Sequence, residues 1–396
     1  MGSRIDRRTV LKCTVGCAGA VAGRLAELTG RPIWAAESRR SKKAPSEPVA
    51  IVRCESFQPQ VLRRQFDKMF DLIGGIGKLV KNKTVTIKVN LTGMRWDPID
   101  GLPAHETYQT HPNTVAALCA ILHDAGAKRM IIVESLYWDR PLEATLQQEG
   151  WDIAAVQSAG GHRVTFEDTR RRAPFPAYSR FKVPWGGFIY PAFDLNQRYE
   201  KTDVLISLAK LKQHATAGIT GAVKNFFGIT PCSLYGNDAP SENPRSHRTR
   251  NFHAGKLKVP EGVPAELDHD IPSQGVHRVP HIVADIWGAR PADLNIVEGV
   301  RTIRGGEGFW NKGVSVLEPK LIVAGRNGVC VDAIATAVMG FDPQAPHGHF
   351  PFPGENHLRL LASVGMGEIS PDRIEVRGVP LQQAVFPFQP GKSRKG

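Results

Sequence analysis

The sequence predicts an α/β fold: a mixed, mostly parallel sheet with helices on both faces, forming one body or two lobes around a cleft. Three observations point there. Apolar runs of strand length, at 49–52, 84–90, 127–134, 204–208, 293–300 and 321–325, are separated by stretches with helical spacing of apolar residues. Strand and helix alternate, which is the pattern of a parallel sheet. Polar residues then gather just past the strands, where such sheets place their ligands.

The first 36 residues read as a twin-arginine export signal. Arg7-Arg8 is followed by Val10 and Lys12, then by the weakly apolar run 13–23, too short to span a bilayer. Ala35-Ala36 offers small residues for cleavage. This predicts passage through the twin-arginine translocase, a periplasmic location and a mature chain without a transmembrane segment. Residues 37–47 are a polar linker, 48–380 the α/β domain, and 381–396 a loose tail.

Net charge is +13; the leader holds six basic and two acidic residues, so without it the balance is +9. That favours acidic ligands, but no dense basic stripe with interleaved aromatics marks a nucleic-acid binder. Four of the six cysteines lie beyond the leader, widely scattered and with no C-x-x-C. An iron–sulfur run is therefore not expected, and Cys119 and Cys330 read as packed thiols.

Within the domain, a first strand at 49–52 precedes helical spacing over 61–76. The strand 84–90 ends with Lys88 and Asn90 on one face. A lysine ending a buried strand needs a partner or a ligand. The loop 92–110 delivers His105 and His111, and a helix follows, with Asn113 as its expected N-cap. Residues 127–134 form a strand ending in Glu134-Ser135, and 142–150 a helix. Residues 160–200 read as an irregular excursion containing a hairpin.

The richest stretch is 210–230. Lys210, Lys212 and His214 leave the strand 204–208; Gly218, Thr220 and Gly221 follow, then Lys224-Asn225. Small residues let backbone N–H groups approach a ligand, and the lysines add positive charge, which suits an anion. A turn merely closing the sheet is the competing explanation.

Residues 231–280 are rich in Pro, Asn and His, which predicts a loop lid; Pro280 argues against a helix through His277 and His281. A helix is expected from 281, a strand at 293–300 ending in Glu298-Gly299, a glycine loop at 304–308, a strand at 321–325 and a helix at 328–340. Asp332 is the expected cap of that last helix. His347-Gly348-His349 is a short candidate metal pair. A helix at 357–365 and a strand at 373–376 complete the domain.

L-I-S-L-A-K-L-K-Q-H followed by I-T-G-A-V-K-N-F-F-G resembles the signature of the DUF362 family. The resemblance runs from V-T-I-K-V-N-L near residue 85 to D-R-I-E-V-R-G near 375. It implies site roles for the I-K-x-N segment (Lys88, Asn90) and for the His-Pro element at His111, for which a structural capping role is the alternative. It also implies an Asp-Gly at the 293–300 strand end, where this chain has Glu298-Gly299. Some members carry ferredoxin-type clusters, an element missing here. The K-x-H…G-I-T-G pattern is also similar to the lysine-bearing glycine loop of nickel-pincer lactate racemases, over too short a stretch to transfer their cofactor.

The function expected is an exported, cofactor- or metal-linked enzyme of redox type acting on an anionic small molecule, its cofactor and metal left unnamed. Lys88, Asn90, His111, Lys212, Gly218, Thr220, Gly221, Lys224 and Asn225 would bind the substrate, with His214 and Glu298 as catalytic groups. A non-catalytic periplasmic anion- or solute-binding protein is the alternative.

Overall fold

Eight strands form the central sheet of the computed structural model, which describes residues 44–137, 140–255 and 257–388. The expected export signal and residues 37–43 of the linker lie outside these. The strands are β1 (Val49–Arg53), β2 (Thr84–Lys88), β3 (Arg129–Glu134), β4 (Val164–Asp168), β5 (Val204–Lys210), β6 (Leu294–Gly299), β7 (Leu321–Gly325) and β8 (Val376–Gly378). Their order across the sheet is β8-β1-β7-β6-β5-β2-β3-β4. Neighbours pair in parallel except at β7, which runs antiparallel to both β1 and β6. The fold class is the expected one, a mostly parallel α/β sheet.

Helices of five or more residues are α1 (Pro59–Leu72), α2 (Pro112–Asp124), α3 (Leu142–Gln148), α4 (Ile153–Ala159), α5 (Gly221–Asn225), α6 (Thr249–Ala254), α7 (Gly275–Ala289), α8 (Gly328–Val338) and α9 (His357–Ser363). Strand alternation divides the core between the two faces of the sheet. Ile131, Val133, Leu205, Val297 and Val323 pack with α5, α7 and α8. Val85, Ile87, Ile132, Ile206 and Ile296 pack with α1 and α2. The chain from Ala44 onward forms one compact unit.

Several expectations are corrected. β4 and α4 fall in or beside the stretch read as irregular. β4 is a sheet edge, its residues after Val164 are partly exposed, and Val-Thr-Phe-Glu-Asp lacks the continuous apolar signal of its buried neighbours. The hairpin within that stretch is present, pairing Tyr178–Lys182 with Ala192–Asn196. Helix α7 runs through Pro280 and starts six residues earlier than expected. Pro280 is the sixth residue of this helix and leaves Val276 O without its intrahelical partner, and Glu355 N donates to that oxygen instead at 3.1 Å. The last strand follows 373–376 rather than filling it. Residues 381–388, expected in the loose tail, include the short helix Leu381–Ala384 and the buried side chains of Ala384 and Phe388. Residues 389–396 lie outside the described residues.

Strand order decides where a ligand can enter. Read from β4, the parallel strands run β4-β3-β2 and then β5-β6, so the direction of chain progression reverses between β2 and β5. Crossovers on either side of such a point leave by opposite faces and open a crevice at the carboxyl ends of the two strands.

Candidate functional site

A cavity of about 450 Å³ fills this crevice. Lys88 and Asn90 come from the end of β2, Glu134 from β3, and His214 from the segment after β5; Lys224 and Asn225 come from α5. Arg248 and His253 enter from the 231–280 region, and Glu307, Phe309 and Trp310 from the glycine loop after β6. Two arginines and two lysines face two carboxylates on this wall.

Lys88 forms the floor. Its Nζ lies 2.7 Å from Glu134 Oε1 and donates to Val89 O at 2.7 Å and Asn225 Oδ1 at 3.3 Å, which occupies all three ammonium protons. Glu134 in turn accepts from the backbone N–H groups of Leu91 and Ser135 at 2.9 Å each. Burial lowers the Lys88 pKa against the pull of Glu134. Gly228 makes this packing possible: a Cβ there would stand 2.7 Å from Lys88 Nζ and 2.9 Å from Glu134 Oε1.

Asn225 knits β2 to β5, donating to Lys88 O and Ser207 Oγ and accepting from Asn90 Nδ2. Asn90 Oδ1, buried at the cavity wall, has no hydrogen-bond partner among the described residues. Unsatisfied buried acceptors are rare and ask for a donor.

Lys224 differs from the floor lysine. Its Nζ sits 4.2 Å from the Phe227 ring centre and makes no hydrogen bond or ion pair with the described residues. Burial pushes its ammonium down to about 7, Glu307 opposes this, and Arg248 and Lys88 add to it. Half of it is therefore free amine near neutrality. Arg248 is a fixed cation: its guanidinium donates to Ser135 Oγ, Ser135 O and Thr230 O and lies 5.2 Å from the Tyr137 ring centre.

His214 is held in one tautomer, because its Nδ1 accepts from the N–H groups of Thr216 (3.1 Å) and Ala217 (3.3 Å), leaving the proton on Nε2. Burial pushes its pKa down to about 3, so the ring is neutral and donates from Nε2 at physiological pH. Its Nδ1 lies 3.9 Å from Glu307 Oε2, a contact between a neutral ring and a carboxylate at that pH. Burial opposes the Glu307 charge, but the His214 ring, the Ala215 N–H, the Trp310 indole and Lys212 hold it near 2. His253 is driven down to about 4, by burial first and Lys224 second. Beside the Lys88–Glu134 floor pair and the exposed Arg95, the wall thus presents one titrating amine, two neutral imidazoles, the Glu307 carboxylate and the anchored Arg248 guanidinium.

Residues 85–337 match a family described as a domain of unknown function, DUF362. The chain belongs to the DUF362 family. It is 27% identical over 274 residues to a thylakoid-associated protein of Synechocystis sp., an overlap covering 62% of this chain and 76% of that one. Among solved structures it is similar to a protein of Thermotoga maritima (12% identical, TM-score 0.34, 67% of this chain and 56% of that one). It is also similar to the lactate racemase apoprotein of Thermoanaerobacterium thermosaccharolyticum (13% identical, TM-score 0.37, 76% of this chain and 58% of that one). The chain thus spans under two thirds of either solved structure.

Not every residue singled out in this DUF362 chain reaches the cavity. Lys212 lies behind the wall, where its Nζ donates to Tyr108 O and Glu307 O; burial holds its pKa well below the usual lysine value. It positions the loop that carries Glu307. Glu298 pairs with Lys210 at 2.7 Å, both side chains fully buried, and accepts from Thr114 Oγ1 at 3.3 Å. It braces β6, β5 and α2 rather than facing a ligand. His111 is the N-cap of α2, its Nδ1 accepting from Asn113 N at 3.0 Å, so the cap lies two residues before the expected Asn113. Its ring stacks on Phe57 and borders a second, shallower depression with His105 and Glu106.

The glycine–threonine loop is already occupied, by a carboxyl group of the chain itself. Asp332 of α8 accepts from the N–H groups of Ala222 at 2.6 Å and Val223 at 2.9 Å, at the start of α5. Gly221, at φ +56°, leaves room for it: a Cβ would lie 2.4 Å from Asp332 Oδ2. Asp332 therefore caps α5, while Asn327 caps Asp332's own helix. Burial pushes its carboxyl up to about 7 and the two amides pull it back. Gly218, at φ +82°, is filled by Phe352, and Thr220 lies at the start of α5 off the cavity wall.

Arg248, His253, Glu307 and Trp310 carry no periodic or motif signal as site residues. Arg248 lies in aperiodic chain between prolines, and only its place past β3 and β5 gives it meaning. The four cysteines described are buried and free, as packed thiols.

Proposed function

We propose that this DUF362 protein is an enzyme acting on an anionic small molecule in the β2/β5 crevice, with Lys224 as the group that gains and loses a proton. One observation carries the reading: a lysine that makes no hydrogen bond or ion pair with the described residues faces the same cavity as an anchored arginine and an unpartnered Asn90 Oδ1. A ligand with an anionic group and a neighbouring hydrogen-bond donor would satisfy all three. Phe309, Trp310 and Tyr137 supply faces for a planar or apolar portion. Lys224 titrates near neutrality, as an acid–base group requires, whereas His214 offers a fixed N–H donor to developing negative charge.

Among the described residues, no three metal-ligating side chains converge on this cavity. A redox or other cofactor-linked step therefore fits an organic group in the crevice better than a metal held there by side chains alone. The alternative, a non-catalytic binder of anionic solutes, uses the same cations and needs no titrating amine. We further propose export by the twin-arginine translocase into the periplasm, on the strength of Arg7-Arg8 and the run after them; retention in the cytoplasm by an Arg7→Lys/Arg8→Lys variant is the test.

For the site, intact mass and absorption spectrum of the purified protein come first, followed by thermal-shift screening of carboxylates and phosphates. Hits are then incubated with wild type and Lys224→Met and followed by NMR. Conversion by wild type, lost in the variant while binding persists within about tenfold, supports the enzyme. Tight binding without conversion, or equal conversion by the variant, overturns Lys224 as the acid–base group.

A further inference from the structure

Outside the cavity, the first turn of α7 faces the loop between α8 and α9. The ring of His277 stacks on that of His347, with centroids 5.2 Å apart and planes 11° from parallel. His347 Nδ1 lies 3.0 Å from Glu355 Oε1. One ligand atom from each of the three residues lies within 4.8 Å of the others. We propose that His277, His347 and Glu355 bind a zinc-type divalent ion that fastens the 343–356 loop to α7.

The donor set decides the class of ion. Two imidazoles and one carboxylate suit zinc, nickel or cobalt, whereas magnesium and calcium prefer oxygen donors throughout. Three protein ligands would leave the fourth tetrahedral position to water. In such a site, with bonds of about 2.0–2.1 Å, ligand atoms stand roughly 3.4 Å apart. The ligand atoms need to close by up to about 1.4 Å, and the His347 ring has to turn out of its stack on His277 because an imidazole binds a metal in its own plane; the exposure of His347 (54%) and Glu355 (30%) leaves them free to do so.

The backbone already holds the two segments together. Glu355 N donates across to Val276 O at 3.1 Å, while Gly348 N closes the loop on itself by donating to Gly354 O at 2.9 Å. Gly354 packs so closely on α7 that a Cβ would fall 2.2 Å from Val276 O. The Asn356 amide donates to Pro343 O and Ala345 O. Neither ring nitrogen of His277 has a hydrogen-bond partner among the described residues. The neighbouring histidines are otherwise engaged: His281 Nδ1 meets His277 O at 2.7 Å, and His349 Nδ1 meets His347 O at 3.0 Å. The pair suggested by His347-Gly348-His349 is thus divided, and only His347 joins the cluster.

The fastened loop matters to the cavity behind it. Phe352 fills the space beside Gly218, and Gly275 lies against Thr216 and His253, two residues of the cavity wall. An ion here would stiffen that wall without touching a ligand in it.

The test uses the full chain without an affinity tag, stripped with a chelator and titrated with zinc alone, against magnesium as control. One zinc per chain is expected, with affinity falling at least 30-fold in His277→Ala/His347→Ala and unchanged in His349→Ala. Zinc should raise the unfolding temperature of wild type and not of the double variant. No zinc binding above the magnesium control, or undiminished binding by the double variant, overturns the site. Should the double variant fail to fold, His347→Ala alone, at an exposed position, decides in the same way.

Discussion

Lys224 gives the sharpest prediction. With a pKa of about 7 its amine is half deprotonated at pH 7, whereas an ordinary lysine near 10.5 is free amine at only about 0.03%. The ratio exceeds a thousandfold, but a weaker base is also a weaker nucleophile. With a Brønsted slope of about 0.45, as found for thiols, the net advantage at pH 7 is roughly 40-fold. Trace acetylation with isotope-coded anhydride across pH 5–11, read peptide by peptide, gives a titration curve for each lysine. The Lys224 midpoint should fall near 7, more than three units below the ordinary lysine value of about 10.5. A Lys224 midpoint at or above 9 refutes the reasoning. Stability carries the same signature. A lysine whose folded pKa lies below its unfolded value leaves the unfolded chain holding more protons between about 7 and 10.5. Stability therefore rises with pH through that window, by an amount bounded near 5 kcal/mol. The head group still meets the cavity, so screening reduces the expected gain to about 1–3 kcal/mol. Urea midpoints of wild type and Lys224→Met at pH 7 and 9 should converge as the pH rises, the variant being the more stable at pH 7.

Three further outcomes follow from contacts already described. Lys210→Met strands the Glu298 carboxylate and should cost about 3–5 kcal/mol by chemical denaturation, most of it recovered in Lys210→Met/Glu298→Leu; equal loss in both would show that the pair is not the cause. Asp332→Gly removes the acceptor for two buried N–H groups and should cost about 3–5 kcal/mol. Tens of millimolar formate, entering the vacated space, should restore part of it, and indifference to formate would count against the two-amide cradle. Gly228→Ala drives a methyl group into the Lys88–Glu134 contact and should weaken ligand binding at least tenfold, while Gly262→Ala, facing open space at the surface, should leave it unchanged.

Much of the sheet was legible because buried parallel strands are continuous apolar runs, and the residues closing them, Lys88, Asn90, Glu134 and Lys210, announce themselves by being polar where the chain has just been oily. The same signal misassigned partners. Lys210 and Glu298 end adjacent strands and so neutralise each other, a relation set by strand order. The glycine–threonine loop has the chemistry of an anion cradle, and nothing local reveals that an aspartate over a hundred residues away fills it. Arg248 and Glu307 were hidden for the complementary reason: their segments have no period, and their place depends on the strands they return to. Pro280 misled because the carbonyl it leaves unpaired, Val276 O, is satisfied by Glu355 N from a distant loop, which the pattern around His277 did not disclose.

Strand order also sets a clock. β1 lies between β7 and β8, both near the other end of the chain. At 5–20 residues per second, a ribosome needs roughly 15–50 s to travel from Arg53 to Leu321. For that interval the first strand made has both hydrogen-bonding edges unpaired. β2, β3 and β4 can join as they emerge, so the nascent sheet grows from what becomes one flank and closes last around its earliest strand. Chains stopped before residue 325 should therefore be protease-sensitive through residues 49–53 and should invite chaperones there, whereas the completed chain should bury that segment in a single late step.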